Sequence, residues 1–249
     1  MTRSRVVSGR PGGLAGVVGL AYGAYALAVT VLIAGALWPF IVVVPMPVRW
    51  RYRLVRGAGS VICHLTRTPL TIVGSIPANE ASLVVANHPS FIDGLVLILA
   101  MREPTTIVAG GVFSSQPLIG RFLSRLGCVF TEGRTPSEAI LFAERLSRIL
   151  QAGGIVATFP EGGIEPTREV GNFHLGGLRA AADAGVPVVP VGIAGTHSIV
   201  ARGHRVPRHG AIHVEIGDPI SPLGSDWRSL IALRDATQRA VAALSGEPT

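Results

Sequence analysis

The chain contains no lysine, so all 22 of its basic residues are arginine. Any phosphate it grips must therefore meet a guanidinium or a backbone N–H, never a flexible ammonium. Cysteine is almost absent too. Cys63 and Cys128 stand far apart, with no C-x-x-C, which speaks against a disulfide framework or a structural zinc site and is compatible with a reducing cytoplasm. There is no G-x-S-x-G elbow, which argues against a serine hydrolase of that type. Charged residues are scarce at 15%, against about 25% in an ordinary soluble domain. Residues 11–48 lack a charged side chain altogether.

What is present is apolar and basic. Hydrophobic residues make up 48% of the 249, and the formal net charge is +7. That balance suits an anionic surface, either nucleic acid or an acidic membrane. A nucleic-acid-binding protein would not carry so much apolar sequence, so the expected partner is a lipid bilayer. The heart of the uncharged run, Leu14 to Trp38, exceeds the roughly 20 residues that a span requires. It is too long, and followed by too much apolar sequence, for a cleaved signal peptide.

Arg3, Arg5 and Arg10 precede the run, and Arg49, Arg51, Arg53 and Arg56 follow it. Positive charge on both flanks favours no single orientation. One solution is a single span. The other is a hairpin with both ends on one face, broken near Trp38-Pro39 or at Pro45-Met46-Pro47. A second, amphipathic helix is expected over residues 49–66, with Trp50, Tyr52 and its arginines in the headgroup layer. Residues 1–66 thus form membrane-anchoring helices, and 67–249 a single domain with no internal repeat or low-complexity linker.

In that domain short apolar runs alternate with amphipathic helices. The expected fold class is α/β: a mixed, largely parallel sheet flanked by helices and preceded by the membrane-embedded helical segment. Strands are expected at 82–86, 106–109, 128–131, 155–159, 186–193 and 211–216. The clearest helix opens at Thr135 as N-cap, with Pro136 in the first turn and Glu138 completing a capping box. Its apolar positions are Ala139, Phe142, Leu146, Ile149 and Leu150, with Gly153 as a stop. Further helices run from about Leu175 to Gly185 and from Asp226 to Gly246.

The first chemical constellation is Asn87-His88-Pro89-Ser90-Phe91-Ile92-Asp93. On a continuous helix, residues five apart diverge by about 140°. His88 and Asp93 can meet only if His88 sits in a loop after the strand and Asp93 in the first helical turn, with Ser90 as the cap. An Asp so placed accepts the imidazole Nδ1–H and leaves Nε2 as a base, in the logic of a serine triad whose serine is replaced by a substrate alcohol. The second is Phe159-Pro160-Glu161-Gly162-Gly163, a buried strand running into an acid and two glycines that admit a ligand close to backbone N–H groups. Glu161 there suits hydroxyl groups of a glycerol-like acceptor or a cationic neighbour. The third, Val186 to Val191, carries Pro187 and Pro190, which belong at strand ends, edges or a bulge. The fourth, Gly127 to Arg134, sets a guanidinium beside the positive end of the capped helix, where a phosphate would fit. His209 and His213 share only a strand face and read as surface residues.

In this order, the four blocks resemble the glycerolipid acyltransferase family, typified by 1-acyl-sn-glycerol-3-phosphate acyltransferases. They correspond to its N-H-x4-D, G-x-I-F-x-x-R, F-P-E-G and V-P-[IV]-[IV]-P-V motifs, and Ile216-Gly217-Asp218-Pro219-Ile220 looks like its closing strand and turn. The resemblance covers roughly residues 65–221. It implies transfer of a fatty acyl group from acyl-CoA or acyl-carrier protein, as co-substrate, to a lysophospholipid hydroxyl at the cytoplasmic face of the cell membrane. It implies no cofactor and no metal. His88 would be the general base and Asp93 its orienting partner, with Asn87, Ser90, Arg134, Pro160, Glu161, Gly162, Gly163 and Arg168 around the substrate.

Two departures concern the acceptor side. The family continues F-P-E-G-T-R-S, whereas this chain has Gly163, Ile164 and Glu165, an acid in place of the usual arginine region. The arginine of the second block is displaced by one, with Gly133 in its place. Arg168 and His174 are the basic residues nearby that would compensate. Loss of a charge-assisted phosphate contact costs about 1.5–3 kcal/mol, enough to change preference. The alternatives are an acceptor without a terminal phosphate, such as a lyso-aminolipid or glycolipid, and a catalytically idle lipid-binding homologue.

Overall fold

The structure, a computed structural model, describes residues 14–77, 80–131, 135–164, 170–200 and 206–246. Its first helix, α1 (Leu14–Val42), runs unbroken through Pro39. Of the two expected break points only the second is used, at Pro45–Pro47, after which α2 (Val48–Leu65) begins. Pro39 is tolerated because it lies in the last turns, and its own carbonyl still accepts from Val43 N–H at 2.8 Å. The pair folds back as a hairpin, with Tyr22 Oη donating to Thr66 O and Tyr25 Oη to Leu65 O.

The stretch Gly16–Val42 is long and apolar enough to cross a membrane, and only 11% of its most apolar window is buried. Helix α2 is amphipathic. Arg51, Tyr52, Val55 and Gly59 turn inward, while the exposed Trp50 lies under the Arg53 guanidinium, 5.0 Å from the ring centre.

Beyond α2 come seven strands: β1 (Leu70–Val73), β2 (Ser82–Ala86), β3 (Thr106–Ala109), β4 (Val129–Phe130), β5 (Ile155–Thr158), β6 (Val188–Ala194) and β7 (Ile212–Ile216). They form one sheet in the order β1-β7-β6-β2-β5-β3-β4. Every pairing is parallel except β6 with β7. Six strands lie where the apolar runs put them, although β4 is shorter than expected. The seventh, β1, is a sheet edge whose residues are largely exposed, so it lacks the continuous apolar run that marks a buried strand.

Alternate residues of β2 point to opposite faces. Val84 and Ala86 pack with α2 and with α3 (Asp93–Ala100). Leu83 and Val85 pack with α5 (Pro136–Gln151), α6 (Leu175–Ala184) and α8 (Trp227–Ser245). The expected caps are in place. Thr135 Oγ1 accepts from Glu138 N–H while the Glu138 carboxylate accepts from Thr135 N–H, and α6 stops at Gly185 with φ +67°. One helix-facing expectation differs, since Ala139 is exposed and Leu146 and Leu150 carry the buried stripe.

Pro190 lies inside a central strand, and the ladder explains how. Val188 bridges Ile220, but Val191 pairs with Ile216, which leaves one extra residue on the β7 side. Pro190 sits at this bulge, where its carbonyl accepts from Gly217 N–H at 2.9 Å and no ladder donor is required of it.

Strands β2 and β5 are parallel neighbours, yet their exits diverge. The chain leaves β2 for α3 on one face and leaves β5 for α6 on the other. Diverging crossovers open a crevice at the carboxyl ends of the two strands, the usual ligand position in such sheets. On the opposite flank, β6 meets α8 so closely that a Cβ on Gly192 would strike the Leu244–Ser245 backbone. The substitution Gly192→Ala should therefore cost about 1–3 kcal/mol, read as a lowered midpoint of thermal unfolding in detergent.

Candidate active site

The loop after β2 is built by its neighbours before any chemistry is considered. Asn87 is 1% exposed. Its amide donates to Ile193 O at 2.9 Å and accepts from Ile193 N–H at 2.7 Å, extending the β2–β6 pairing with a side chain. This clamp sets where His88 leaves the sheet.

His88 Nδ1 lies 3.0 Å from Asp93 Oδ2, with the imidazole one-fifth exposed and the carboxylate wholly buried. A carboxylate only accepts, so Nδ1 carries the hydrogen and the Nε2 lone pair remains for other work. The same Oδ2 accepts from Ser90 N–H at 2.6 Å. Asp93 is the first residue of α3, where the helix dipole favours a carboxylate. The loop-then-first-turn arrangement required by the i, i+5 spacing is the one observed.

Ser90 was expected to cap α3; its Oγ accepts from Ile92 N–H only at a long 3.5 Å, one residue before the helix begins. The N-cap is Ile92, with no side-chain cap bond. Ser90 is fully buried, and its Oγ donates to Val200 O at 2.7 Å. The segment following β6 supplies that acceptor. There a short turn, α7 (Thr196–Ile199), presses on the loop from the side, and His197 Nδ1 donates to Pro89 O at 3.2 Å. Nothing local in the sequence announces His197; it becomes visible only once β6 lies beside β2.

From the other side comes the loop after β5. Phe159 stacks on the His88 ring, centroids 4.2 Å apart and planes 19° from parallel. Glu161 is buried, and its Oε1 accepts from the His88 backbone N–H at 3.3 Å. An acid that could have been a solvated loop residue is thus drawn against the loop that carries the imidazole. Pro160 is buried and its carbonyl accepts from His174 N–H at 2.8 Å. Gly162 has φ +76°, a left-handed conformation that favours glycine; a Cβ there would meet only the tip of the exposed His174 side chain, 2.9 Å away at Nε2. Gly162 and Gly163 are exposed at the mouth of the crevice. Arg134 and Arg168 lie outside the described residues.

The remaining titratable groups stand apart. His209 Nε2 donates to Arg67 O at 3.0 Å and the ring meets Tyr22 edge-on, so it fastens α1 to the domain. His213 faces Glu215 across 3.8 Å on β7. Among the described residues, no group of three or more His, Cys, Asp or Glu could hold a metal ion. Burial pushes the Cys128 thiol up to about 12 and raises that of Cys63 as well.

Comparison with known proteins bears on this geometry. A family profile described as Acyltransferase matches residues 70–194, the stretch from β1 to the end of β6. The chain is 31% identical over 156 residues to a chloroplastic 1-acyl-sn-glycerol-3-phosphate acyltransferase of Brassica napus, covering 62% of this chain and 45% of that protein. It therefore spans less than half the length of that relative. It is 28% identical over 212 residues to a lyso-ornithine lipid O-acyltransferase of Pseudomonas aeruginosa, covering 79% of this chain and 80% of that one. In fold it matches the crystal structure of the 1-acyl-sn-glycerophosphate acyltransferase PlsC from Thermotoga maritima, with a TM-score of 0.75 at 22% identity, over 95% of this chain and all of that one.

A thiol whose pKa is raised is protonated at neutral pH and unreactive, because the thiolate is the nucleophile. Iodoacetamide at about pH 8 should leave Cys128 unmodified in the folded protein and alkylate it after unfolding. Mass spectrometry of the intact chain distinguishes the two states.

Proposed function

The chain belongs to the acyltransferase family, and from that premise we propose that it moves a fatty acyl group from an acyl thioester to the hydroxyl of a lysolipid, with His88 as general base. The observation that carries this reading is the 3.0 Å contact between His88 Nδ1 and the buried Asp93 carboxylate. Asp93 holds the tautomer in which Nε2 is the base and stabilises the imidazolium that forms. His88 Nε2 takes the acceptor's hydroxyl proton as its oxygen attacks the thioester carbonyl. The tetrahedral adduct collapses with cleavage of the C–S bond, and the imidazolium returns its proton to the departing thiolate. The products are an ester and a free thiol.

From the β5 side, Phe159 supports the reading by stacking on the imidazole and Glu161 by accepting from the His88 backbone N–H. Asn87, Ser90 and His197 support it as positioning residues, since each fixes the backbone of the loop. Gly162 and Gly163 leave the crevice mouth open to an acceptor headgroup. Residues 1–66 serve as the membrane anchor and 67–249 as the acyltransferase domain, consistent with an acceptor and a product that both reside in a bilayer.

The acceptor we favour is a lysophospholipid of the 1-acyl-glycerol-3-phosphate type, as in the plant relative. A second reading replaces it with a lysolipid lacking a terminal phosphate. Two facts favour that one: Phe159 to Ile164 contains no arginine, and a lyso-ornithine lipid O-acyltransferase aligns along most of both chains. An acceptor screen with one labelled acyl thioester separates them, and clear preference for lysophosphatidic acid would sink the second.

The substitution His88→Ala should lower kcat by about 10²–10⁴-fold and, by removing a donor to the buried Asp93 carboxylate, lower stability by about 1.5–3 kcal/mol, so activity is compared where circular dichroism shows both proteins folded; if no acceptor supports activity that depends on His88, the enzyme reading fails. His197→Ala should lower kcat by up to about 100-fold with KM little changed. His197→Asn should recover most of that loss, because its amide donates from nearly the position of Nδ1.

A further inference from the structure

Helix α4 (Pro117–Arg125) connects β3 to β4 and plays no part in the site above. Its first turn nevertheless exposes large apolar side chains, with Leu118 at 64% and Ile119 at 44%. A short 3₁₀ turn, Gly111–Phe113, adds Val112 at 67%. The two pieces are held together as one protrusion, because Gly120 is buried against the carbonyls of Phe113 and Ser114, where a Cβ would come within 2.6 Å and 3.0 Å.

Three features say what covers this tip. Trp38 of α1 donates its indole N–H to Leu118 O at 3.1 Å, so the tip is level with the residue on α1 best suited to a membrane interface. Exposed Phe40, Val43 and Val44 continue the apolar surface along α1 and beyond its end. Behind Leu118, the exposed Arg121 and Arg125 follow at about 4.5 Å and 10 Å along the helix axis. An apolar tip backed by guanidiniums matches the layering of acyl chains under phosphates.

We infer that Val112, Leu118 and Ile119 insert into the same leaflet as α1, so that the acyltransferase domain itself grips the acyl region of an anionic bilayer. The inference rests on the proposed membrane placement of α1. Two contacts on different elements would fix the tilt of the domain about the α1 axis.

The test uses the full chain with Cys63 and Cys128 replaced, carrying one environment-sensitive fluorophore at a time through F40C, L118C or L141C. Phe40 is on the hairpin, Leu118 on the tip, and Leu141 is an exposed apolar residue of α5 on the opposite face of the sheet. The protein is bound to phosphatidylglycerol vesicles whose acyl chains carry bromine. We expect a blue shift and loss of fluorescence at positions 40 and 118 and neither at 141. Quenching at 40 alone would overturn the α4 contact while leaving α1 embedded. Absence of quenching at 40 would overturn the membrane placement itself, and equal quenching at all three positions would mean undirected adsorption and overturn the inference. In the protein labelled through L118C, Val112→Ser with Ile119→Ser should reduce quenching at position 118 while leaving quenching at position 40 of the F40C protein unchanged; undiminished quenching at 118 counts against the contact.

Discussion

One oxygen of one buried carboxylate organises the candidate site. Asp93 Oδ2 accepts both His88 Nδ1–H and Ser90 N–H at the first residue of α3. A carboxylate removed from water is costly unless its hydrogen bonds are replaced, and hydrogen bonds to a charged group are worth about 1.5–3 kcal/mol each. Its two donors come from the loop that the carboxylate closes. The burial of Asp93 and the shape of the His88 loop therefore support each other. The imidazole gains a defined tautomer as a by-product of satisfying a buried acceptor.

The surrounding fold keeps that loop from relaxing. Asn87 ties its start to β6, Ser90 and Pro89 are tied to the α7 region, and Glu161 and Phe159 close from β5. These partners come from both strands that flank β2. Only a central strand at a point where crossovers diverge has neighbours on both sides and an open end between them. The same topology leaves Gly162 and Gly163 exposed beyond the end of β5.

An all-arginine chain also uses its cations in ways the linear pattern conceals. The run Arg49, Arg51, Arg53 and Arg56 reads as one headgroup-facing cluster, yet Arg51 is 7% exposed. Its guanidinium donates to Val44 O, just past the end of α1, and to Arg125 O at the end of α4. Planar geometry lets one side chain satisfy two sets of terminal carbonyls. Arg53, two positions on, turns out over Trp50. Helical periodicity splits the cluster into a structural half and a surface half.

Much of this was legible in the linear chain. The capping box at Thr135 and Glu138, the α6 stop at Gly185, the buried β2 and the hairpin break at Pro45–Pro47 each follow from residues within a turn or two of one another. So does the meeting of His88 and Asp93, because five residues leave few conformations that join them. The edge strand β1 escaped because exposed strands lack an apolar signature, and the Ser90 hydroxyl gained an acceptor 110 residues away that no local pattern announces. Glu161 against His88, separated by 73 residues, and His197 against Pro89, separated by 108, obey no local rule. The sequence by itself determined the pairing of His88 with Asp93, since short-range sterics decide their contact. Only the tertiary structure decided what holds them, because those partners are chosen by strand order, a property of the whole sheet.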